Sequence, residues 1–312
     1  MKFFKYIQLL VISVVASGFA SCSDDDEATV AYVPNTTIGN ELLAAGSIPR
    51  VYADTSFVVA MGVTETDLTV QKWDSRPLRM FVIDIDLNQP GVSLEVAMPY
   101  DQNKTSDFEK QTLTEMADYA DRAYHRVAAM INADFWDVQT MDIRGPIHRD
   151  GRILKSSFIF KESLPQQALS FVALTKDNRM IIRDSVEYRP MMYDLKEVTG
   201  SGVIVLREGE ISGQNYAGID PRTCIGYSND GHVFFLVADS RLDFYSYGLT
   251  YPEMGAIMKG LGCAWAANLD GGGSTQMLIR HPIAETFQIR NRPSDGAERP
   301  VVNGWMVTVN EP

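Results

Sequence analysis

The sequence predicts an α+β fold in which mixed β-sheets are flanked by helices within a single large domain. Many short segments are apolar or alternating and rich in β-branched or aromatic residues, whereas only two segments have clear helical spacing. Because the strands outnumber the helices and do not alternate with them regularly, this class is favoured over a doubly wound sheet. No repeat or low-complexity stretch divides residues 46–312, which are therefore predicted to form one domain.

The predicted strands are short and are bounded by turn-forming residues. They are Arg79–Leu87, Val92–Ala97, Val127–Asn132, Gly202–Leu206, His232–Ala238 and Thr275–Arg280. A first helix is predicted over Thr112–His125, where apolar residues recur on one face. The second, Thr250–Leu261, begins with a Thr and a Glu three residues apart and a Pro in the first turn, which is the pattern of a capping box.

The N-terminal residues have the pattern of an export signal. Lys2 and Lys5 precede an apolar run, and small residues stand just before Cys22. We expect residues 1–22 to be a lipoprotein signal peptide, Cys22 to carry the lipid, and the acidic, turn-rich residues 23–45 to form a tether. The expected location is the bacterial outer membrane, facing the surface or the periplasm, with the membrane reached through the lipid anchor alone. A secreted protein with a free Cys22 is the alternative.

Charge and cysteine content limit the classes of partner. The chain has 28 basic and 40 acidic side chains, so nucleic acid is not an expected partner. Beyond Cys22 only Cys224 and Cys263 remain, and the sequence leaves open whether they are buried thiols or one disulfide. No zinc-ligand spacing occurs and no cofactor is certain, although a carboxylate site for Ca²⁺ or Mg²⁺ is left open.

The most unusual segment follows a short apolar run. Asp270 is succeeded by three consecutive glycines, Gly271 to Gly273, and then by Ser274. Ordered glycines indicate positive φ angles or a group pressed against the backbone, and their successive N–H groups are able to bind a phosphate or carboxylate oxygen. A glycine-rich turn capped by Asp270 is the alternative. The segment lacks the Lys of a P-loop and the spacing of a dinucleotide-binding loop.

Two more acids or amides end predicted strands in the same way. Asn132 ends one strand, while Asp239 and Arg241 follow another. If these strands are neighbours in a sheet, we expect their ends to bring Asn132, Asp239, Arg241 and Asp270 to one rim. Any one of them alone would be explained as a turn former.

Five ordered segments resemble the phosphodiester glycosidase family, over about residues 78–309. They are Asn132–Trp136, Pro221–Gly226, Asp239–Arg241, Asn268–Met277, and Asn291–Gly296 followed by Glu298–Pro300. Two positions depart from the family pattern, because Asp134 and Ser240 stand where glycines are common. The resemblance implies hydrolysis of a glycosyl phosphodiester at the anomeric carbon, with N-acetylglucosamine as one candidate sugar and a phosphate-linked glycan as the partner.

The resemblance also implies site residues. The catalytic candidates are Asp270, Asp239 and Glu253, although Glu253 has a sufficient structural role in the capping box. The candidate substrate contacts are Asn132, Arg222, Arg241, Gly271, Gly272, Gly273, Ser274 and Arg299. Arginine suits phosphate because its planar guanidinium binds bidentately and stays charged. We expect Asp270 to be ionised near neutral pH.

Two other functions fit the same residues. A surface glycan-binding lipoprotein would keep the fold without turnover, and a phosphodiesterase would break the P–O bond instead. Paired acids with arginines favour an enzyme, because a protein that only binds glycans would need aromatic residues more than paired acids. A phosphate leaving group is already stabilised, so an arginine is able to replace a strong general acid.

Overall fold

The computed structural model describes residues 32–214 and 218–311. Residues from Tyr32 onward form one compact unit. The predicted signal peptide, the predicted lipidation site Cys22 and the first part of the predicted tether lie outside the described residues. Within the described residues, no helix is long and apolar enough to cross a membrane.

Eighteen strands and four α-helices occur in the described ranges. In chain order the strands are β1 (Arg50–Ala60), β2 (Val63–Gln71), β3 (Pro77–Asp86), β4 (Val92–Ala97), β5 (Arg126–Asn132), β6 (Ile147–Arg149), β7 (Arg152–Lys155), β8 (Ser170–Thr175), β9 (Met180–Asp184), β10 (Leu195–Ser201), β11 (Ile204–Arg207), β12 (Glu210–Ile211), β13 (Arg222–Tyr227), β14 (His232–Ala238), β15 (Trp265–Asn268), β16 (Met277–Arg280), β17 (Phe287–Ile289) and β18 (Gly304–Val309). The helices are α1 (Thr37–Ala44), α2 (Leu113–Ala120), α3 (Tyr188–Met191) and α4 (Tyr251–Gly260). All six predicted strands and both predicted helices are present.

The strands form three sheets. The largest has eight strands in the order β1-β2-β3-β14-β13-β15-β11-β12, and the two others have five strands each, in the orders β7-β6-β10-β8-β9 and β17-β16-β5-β18-β4. The predicted α+β class is confirmed. Every strand pairing in the described residues is antiparallel, so the sheets themselves are not mixed.

Alternation along the central strands explains how the layers pack. In β3 the side chains of Phe81, Ile83 and Ile85 enter the core shared with the five-stranded sheets. Met80 and Val82, on the opposite face, pack against α1 and α4. Because both faces of a strand with this pattern are apolar, β3 reads as a nearly continuous hydrophobic run. The eight-stranded sheet therefore lies between a helical layer and the two smaller sheets.

The two predicted helices start as expected. Thr112 and Glu115 form a reciprocal capping box on α2, and Thr250 and Glu253 form one on α4. The helix α2 is shorter than predicted, because Asp121 leaves helical geometry and its carboxylate instead accepts a hydrogen bond from Val127 N at 2.9 Å.

The sequence predicts a tether over residues 23–45, but the end of that range is folded onto the domain. Residues 37–44 form α1, and Leu42 of this helix is fully buried. Asp54 on β1 accepts hydrogen bonds from Asn35 N at 3.0 Å and Thr36 N at 2.8 Å. The apolar spacing of Ile38 and Leu42 was the signal for this helix, and the turn-forming residues around it concealed it.

Candidate functional site

Several predicted site residues lie at one end of the central strands of the eight-stranded sheet. The strands β14 and β15 both pair antiparallel with β13, so they run in the same direction on its two sides. Their C-terminal ends and the start of β13 share one edge, where Arg222 pairs with Ala238 and Cys224 pairs with Asn268. Asp239 and Asp270 leave the sheet at this edge. The predicted rim is therefore correct for these two strands.

The third predicted strand lies in a different sheet. Asn132 ends β5 in a five-stranded sheet, where Ile131 pairs with Met277 of β16. The glycine segment, residues 270–274, leaves β15 in the large sheet and leads into β16 in the small one. It is thus a crossover between two sheets. Because β16 pairs with β5, Asn132 at the end of β5 lies beside this crossover.

Asn132 fixes this crossover. Its Nδ2 donates to the Asp270 carbonyl at 2.7 Å, and its Oδ1 accepts from Thr223 Oγ1 at 2.7 Å and from Gln276 N at 3.1 Å. The side chain is 1% exposed. An amide that is buried and engaged on both atoms positions the backbone around Asp270, whereas we expected Asn132 to contact the substrate.

Each of the three predicted arginines lies against one glycine of the segment. A Cβ on Gly271 would be 2.7 Å from the Pro221 carbonyl and 3.9 Å from Arg222 Nη1. A Cβ on Gly272 would be 3.2 Å from Arg241 Nη2, and one on Gly273 would overlap the Arg299 guanidinium. Glycine is required here because these groups occupy the space of a side chain, and Gly272 also has a φ of 62°.

The amides of Gly271 and Gly272 are engaged within the protein, whereas we expected them to be free to bind an anion. Gly271 N donates to Asp270 Oδ1 at 3.0 Å, and Gly272 N donates to the Pro221 carbonyl at 3.0 Å. Residues 272–274 instead form a single 3₁₀ turn. An anionic group at this surface would meet guanidinium groups, with the glycines providing the close approach.

The three arginines differ in how fully they are engaged. Arg222 is 8% exposed and donates to the carbonyls of Leu249 at 3.1 Å and Gly218 at 2.6 Å, while its guanidinium stacks on Tyr251. Arg241 and Arg299 are each held by one acid near the surface. Exposed pairs of this kind contribute little and rearrange easily, so these two guanidinium groups are the ones available to a ligand.

Asp270 is partly exposed beside these groups. Burial raises its pKa to about 7, although hydrogen bonds from Ser274 and Gly271 and the charge of Arg299 act in the opposite direction. Asp220 raises the pKa further. We expected a carboxylate ionised near neutral pH, and the structure corrects this: desolvation outweighs the nearby arginine and moves the pKa into the neutral range.

Asp239 is in a different situation. It is 1% exposed, and its Oδ1 accepts from Asn291 Nδ2 at 3.0 Å and from Arg292 N at 3.1 Å. Tyr245 approaches Oδ2 at 3.4 Å. Burial raises the pKa of Asp239 to about 6. The carboxyl group joins the end of β14 to the segment after β17, which is a structural role.

Glu253 is engaged by helix α4 and by a lysine. Its Oε2 accepts from Thr250 N at 2.8 Å, and its Oε1 lies 3.2 Å from Lys72 Nζ. Both carboxylate oxygens of Glu253 therefore have structural partners.

The acids that pair with Arg241 and Arg299 were not among the predicted site residues. Asp220 lies 2.8 Å from Arg241 Nη2, and Asp295 lies 2.6 Å from Arg299 Nη2. Asp295 lies in a Pro-Ser-Asp-Gly turn and Asp220 before a proline, so both matched ordinary turn chemistry. The spacing of four residues between Asp295 and Arg299 was the one available signal.

Other features give no further residue to this site. Cys224 and Cys263 are buried free thiols. In the part of the chain that is described, no group of three or more His, Cys, Asp or Glu side chains is arranged to hold a metal ion. A cavity of about 810 Å³ lies around His232, at the other end of β14, and none of the predicted site residues lines it. We place the site at the glycine segment, where the chemistry-bearing groups meet.

An α+β domain that sets a partly buried acid beside arginines at a sheet crossover belongs to the class of proteins with a site for an anionic substrate. The profile of the phosphodiester glycosidase family matches residues 125–308. The chain belongs to this family, and the predicted resemblance is confirmed.

Solved structures show the same fold at low identity. The catalytic domain of zebrafish N-acetylglucosamine-1-phosphodiester alpha-N-acetylglucosaminidase, auto-inhibited by its pro-peptide, is 16% identical with a TM-score of 0.60, and the match covers 93% of this chain and 99% of that one. A hypothetical protein from Synechocystis is 16% identical with a TM-score of 0.57, over 80% of this chain and 62% of that one.

A curated relative matches a short part of the sequence. The SPbeta prophage-derived uncharacterized protein YomE of Bacillus subtilis (strain 168) is 36% identical over 83 residues. This match covers 27% of the chain and 12% of the relative, so the chain spans a small part of that protein's length.

Proposed function

We propose that this protein hydrolyses a glycosyl phosphodiester at the anomeric carbon, with Asp270 as the working carboxyl group. The observation that carries the proposal is the placement of Asp270 beside Arg241 and Arg299 on one glycine segment. Family membership supports glycosyl phosphodiester hydrolysis in general. We propose N-acetylglucosamine as the first candidate for the sugar that is released.

The reaction requires a base and a stabilised leaving group. In its ionised form Asp270 takes a proton from water, the water oxygen bonds to the anomeric carbon, and the bond from that carbon to the phosphate oxygen breaks. The electron pair of the broken bond leaves with the phosphate. Arg241 and Arg299 hold this anion, since guanidinium groups bind phosphate oxygens bidentately.

The other predicted residues support this arrangement. Asn132 holds the backbone of the crossover, Arg222 holds the carbonyls of Gly218 and Leu249 beside it, and Ser274 hydrogen-bonds to Asp270. Asp239 anchors the segment that follows β17. Glycines 271–273 allow the guanidinium groups to approach the chain.

We also propose that the protein is exported and anchored through Cys22. The support is the sequence pattern of a charged start, an apolar run and small residues before Cys22. Mass spectrometry of the membrane fraction should find an acylated N-terminal peptide starting at Cys22, and Cys22→Ser should release the protein. An unmodified peptide starting elsewhere would contradict the anchor.

The reaction is tested with the methyl phosphodiester of N-acetylglucosamine 1-phosphate in ¹⁸O water. Cleavage at the anomeric carbon places the label in the sugar, which is the expected result. Label in the phosphate would instead show P–O cleavage. Tight binding of the diester without turnover would favour the glycan-binding alternative.

A further inference from the structure

A fully buried acid on β2 lies where the large sheet contacts one of the smaller sheets. Glu65 is 0% exposed, and it pairs with Phe57 on β1 and with Ile83 on β3, which are both uncharged. Arg290 follows β17 directly and reaches Glu65 from the smaller sheet, where its Nε donates to Glu65 Oε1 at 3.2 Å. A carboxyl group without access to water must satisfy its oxygens within the protein.

Asp67 stands beside Glu65 on the same face of β2, two residues further along the strand. Its Oδ2 accepts from Arg290 Nη2 at 3.1 Å and from Arg79 Nη2 at 2.9 Å. Because Nε and Nη2 lie side by side on one edge of the Arg290 guanidinium, the two carboxyl oxygens that they bind also lie side by side. The side chains of Glu65 and Asp67 are themselves within hydrogen-bond contact.

One oxygen of each acid remains without a donor. Glu65 Oε2 and Asp67 Oδ1 are both buried, and no group among the described residues donates a hydrogen bond to either. Two ionised carboxylates would leave both atoms unsatisfied and would repel each other. A single proton on Glu65 removes both penalties, because Oε2–H is then able to donate to Asp67 Oδ1. Glu65 Oε1 becomes the carbonyl oxygen and keeps its hydrogen bond from Arg290.

We propose that Glu65 is a neutral carboxylic acid near neutral pH, and that its hydrogen bond to ionised Asp67 completes a latch with Arg290. The latch consists of these three residues. Arg79 and Arg290 balance the charge of Asp67. Burial raises the pKa of Glu65 from 4.5 to about 8; the hydrogen bond and the charge of Asp67 act in the same direction, and Arg290 opposes them.

The latch holds the start of the segment that carries Arg299. Arg290 is followed directly by two residues that bind Asp239, and Arg299 lies further along the same segment. Glu65 and Asp67 are therefore positioning residues, which act on the proposed ligand contact Arg299 through Arg290. As pH rises through the pKa of Glu65, its hydrogen bond to Asp67 is lost and the segment is held less firmly. The consequence for binding rests on the proposed function, whereas the protonation of Glu65 does not.

Glu65→Gln tests the protonation state, because glutamine has the shape of the protonated acid. Its Oε1 would accept from Arg290, and its Nε2 would donate to Asp67 Oδ1 at every pH. In the native protein, the stability that protonated Glu65 contributes is complete below its ordinary pKa of 4.5 and is lost as pH rises through its folded-state pKa of about 8. Glutamine avoids this loss. In urea unfolding, the folded-to-unfolded ratio of the variant relative to the native protein should rise with pH, by at most about tenfold per pH unit, and become constant above the folded-state pKa.

Asp67→Asn is the matched variant on the same strand. It makes the same exchange of a carboxyl group for an amide, but at the member of the pair that we infer to be ionised. Arg79 and Arg290 would both lose a charged partner, so this variant should be less stable than the native protein across the whole pH range. A tolerated Asp67→Asn together with a Glu65→Gln that is destabilised or unfolded at alkaline pH would overturn the proposal.

Hydrogen exchange measures the hold on the segment without any ligand. After correction for the intrinsic pH dependence of exchange, protection of residues 290–299 should fall at least about threefold in the native protein as pH rises through the pKa of Glu65, and should not fall in Glu65→Gln. Strand β8, in the other five-stranded sheet, is the internal control and should behave alike in both proteins. Equal pH dependence of residues 290–299 in the two proteins would overturn the latch.

Binding of N-acetylglucosamine 1-phosphate connects the latch to the proposed site. By calorimetry at neutral and at alkaline pH, the native affinity should fall at least about threefold more than that of Glu65→Gln. Asp270 is present in both proteins, so its own titration cancels in this comparison. The expected stability and exchange results without phosphate binding by either protein would contradict the proposed function and leave the latch standing. Binding that has the same pH dependence in both proteins would show that the latch does not act on Arg299.

Discussion

Asp239 and Asp270 follow two strands that run in the same direction on either side of β13, yet their surroundings differ. Asp239 is 1% exposed and is bound by the side chain of Asn291 and the backbone of Arg292. Asp270 is partly exposed, and Arg241 and Arg299 beside it are each paired with an acid near the surface. Burial raises the pKa of both groups, to about 6 and about 7 respectively.

Asp239 and Asp270 thus show that position at a strand end does not decide the role of an acid. What the carboxyl group contacts decides it. Asp239 uses its oxygens to hold another segment of the chain, so it has little capacity left for a substrate. Asp270 begins a crossover whose glycines admit guanidinium groups, so a phosphate can approach it.

The largest effect on ligand binding is expected for Gly272→Val. Its side chain would displace Arg241, whose Nη2 lies 3.2 Å from the Cβ position, and would be strained at a φ of 62°. We expect binding of N-acetylglucosamine 1-phosphate to weaken at least tenfold, about 1.4 kcal/mol, by calorimetry. The backbone strain also lowers stability.

Gly262→Val separates the two effects. Gly262 has a φ of 81° and no atom within 4 Å of its Cβ position. This control should lose similar stability and keep its phosphate binding. Equal binding by both variants would show that the glycine segment has no part in the site.

Asp239→Ala should mainly destabilise the protein. The side chain of Asn291 and the amide of Arg292 would lose their acceptor in a buried place, which costs about 1–3 kcal/mol. Urea unfolding with an unchanged m-value measures this loss. A variant as stable as the native protein would show that the carboxyl group is not the anchor we infer.

Asp270→Asn should gain stability at alkaline pH. The folded-state pKa is raised to about 7, so the stability that the protonated carboxyl contributes is complete below its ordinary pKa and is lost as pH rises through 7. An amide avoids that loss. At pH 8 we expect Tm to rise by a few degrees, since 1 kcal/mol shifts Tm by about 2–4 °C in a large domain, and the gain should vanish near pH 4. A lower Tm at pH 8 would contradict the pKa direction.

Glu253→Gln should have the smallest effect. Glutamine retains the capping box but loses the ion pair with Lys72, so we expect a loss of about 1 kcal/mol or less. Glu115→Gln in the capping box of α2 is the matched control. Turnover should be unchanged in both. Lost turnover in Glu253→Gln alone would return Glu253 to the catalytic candidates.

Local patterns made much of the fold predictable. Alternation and apolar runs identify the six strands, and the capping boxes identify the starts of α2 and α4, because these signals depend on residues close in sequence. The pairing of strands does not depend on residues close in sequence, so local patterns do not predict it. The placement of β5 in a second sheet depends on its contacts with β16 and β18, far along the chain.

The sequence predicted which residues lie at the candidate site better than it predicted what each of them does. Glycines 271–273 indicated that something presses on the backbone, and the structure shows Arg241 and Arg299 there. The roles of Asn132 and Asp239 depend on partners such as Gln276 and Arg292, which no local pattern links to them. The pKa of Asp270 is raised by burial in the tertiary structure, which no local pattern shows, so we expected the group to be ionised near neutral pH.

The division of labour between the two acids is tested most directly by single-turnover rates of Asp270→Asn and Asp239→Asn on the same glycosyl phosphodiester at pH 7. The chemical step of Asp270→Asn should slow by at least about 10²-fold, as expected when a group acting in the transition state is removed. Asp239→Asn should retain turnover within about tenfold, because its carboxyl group acts through packing. Near-normal turnover by Asp270→Asn together with an inactive, folded Asp239→Asn would contradict the assignment.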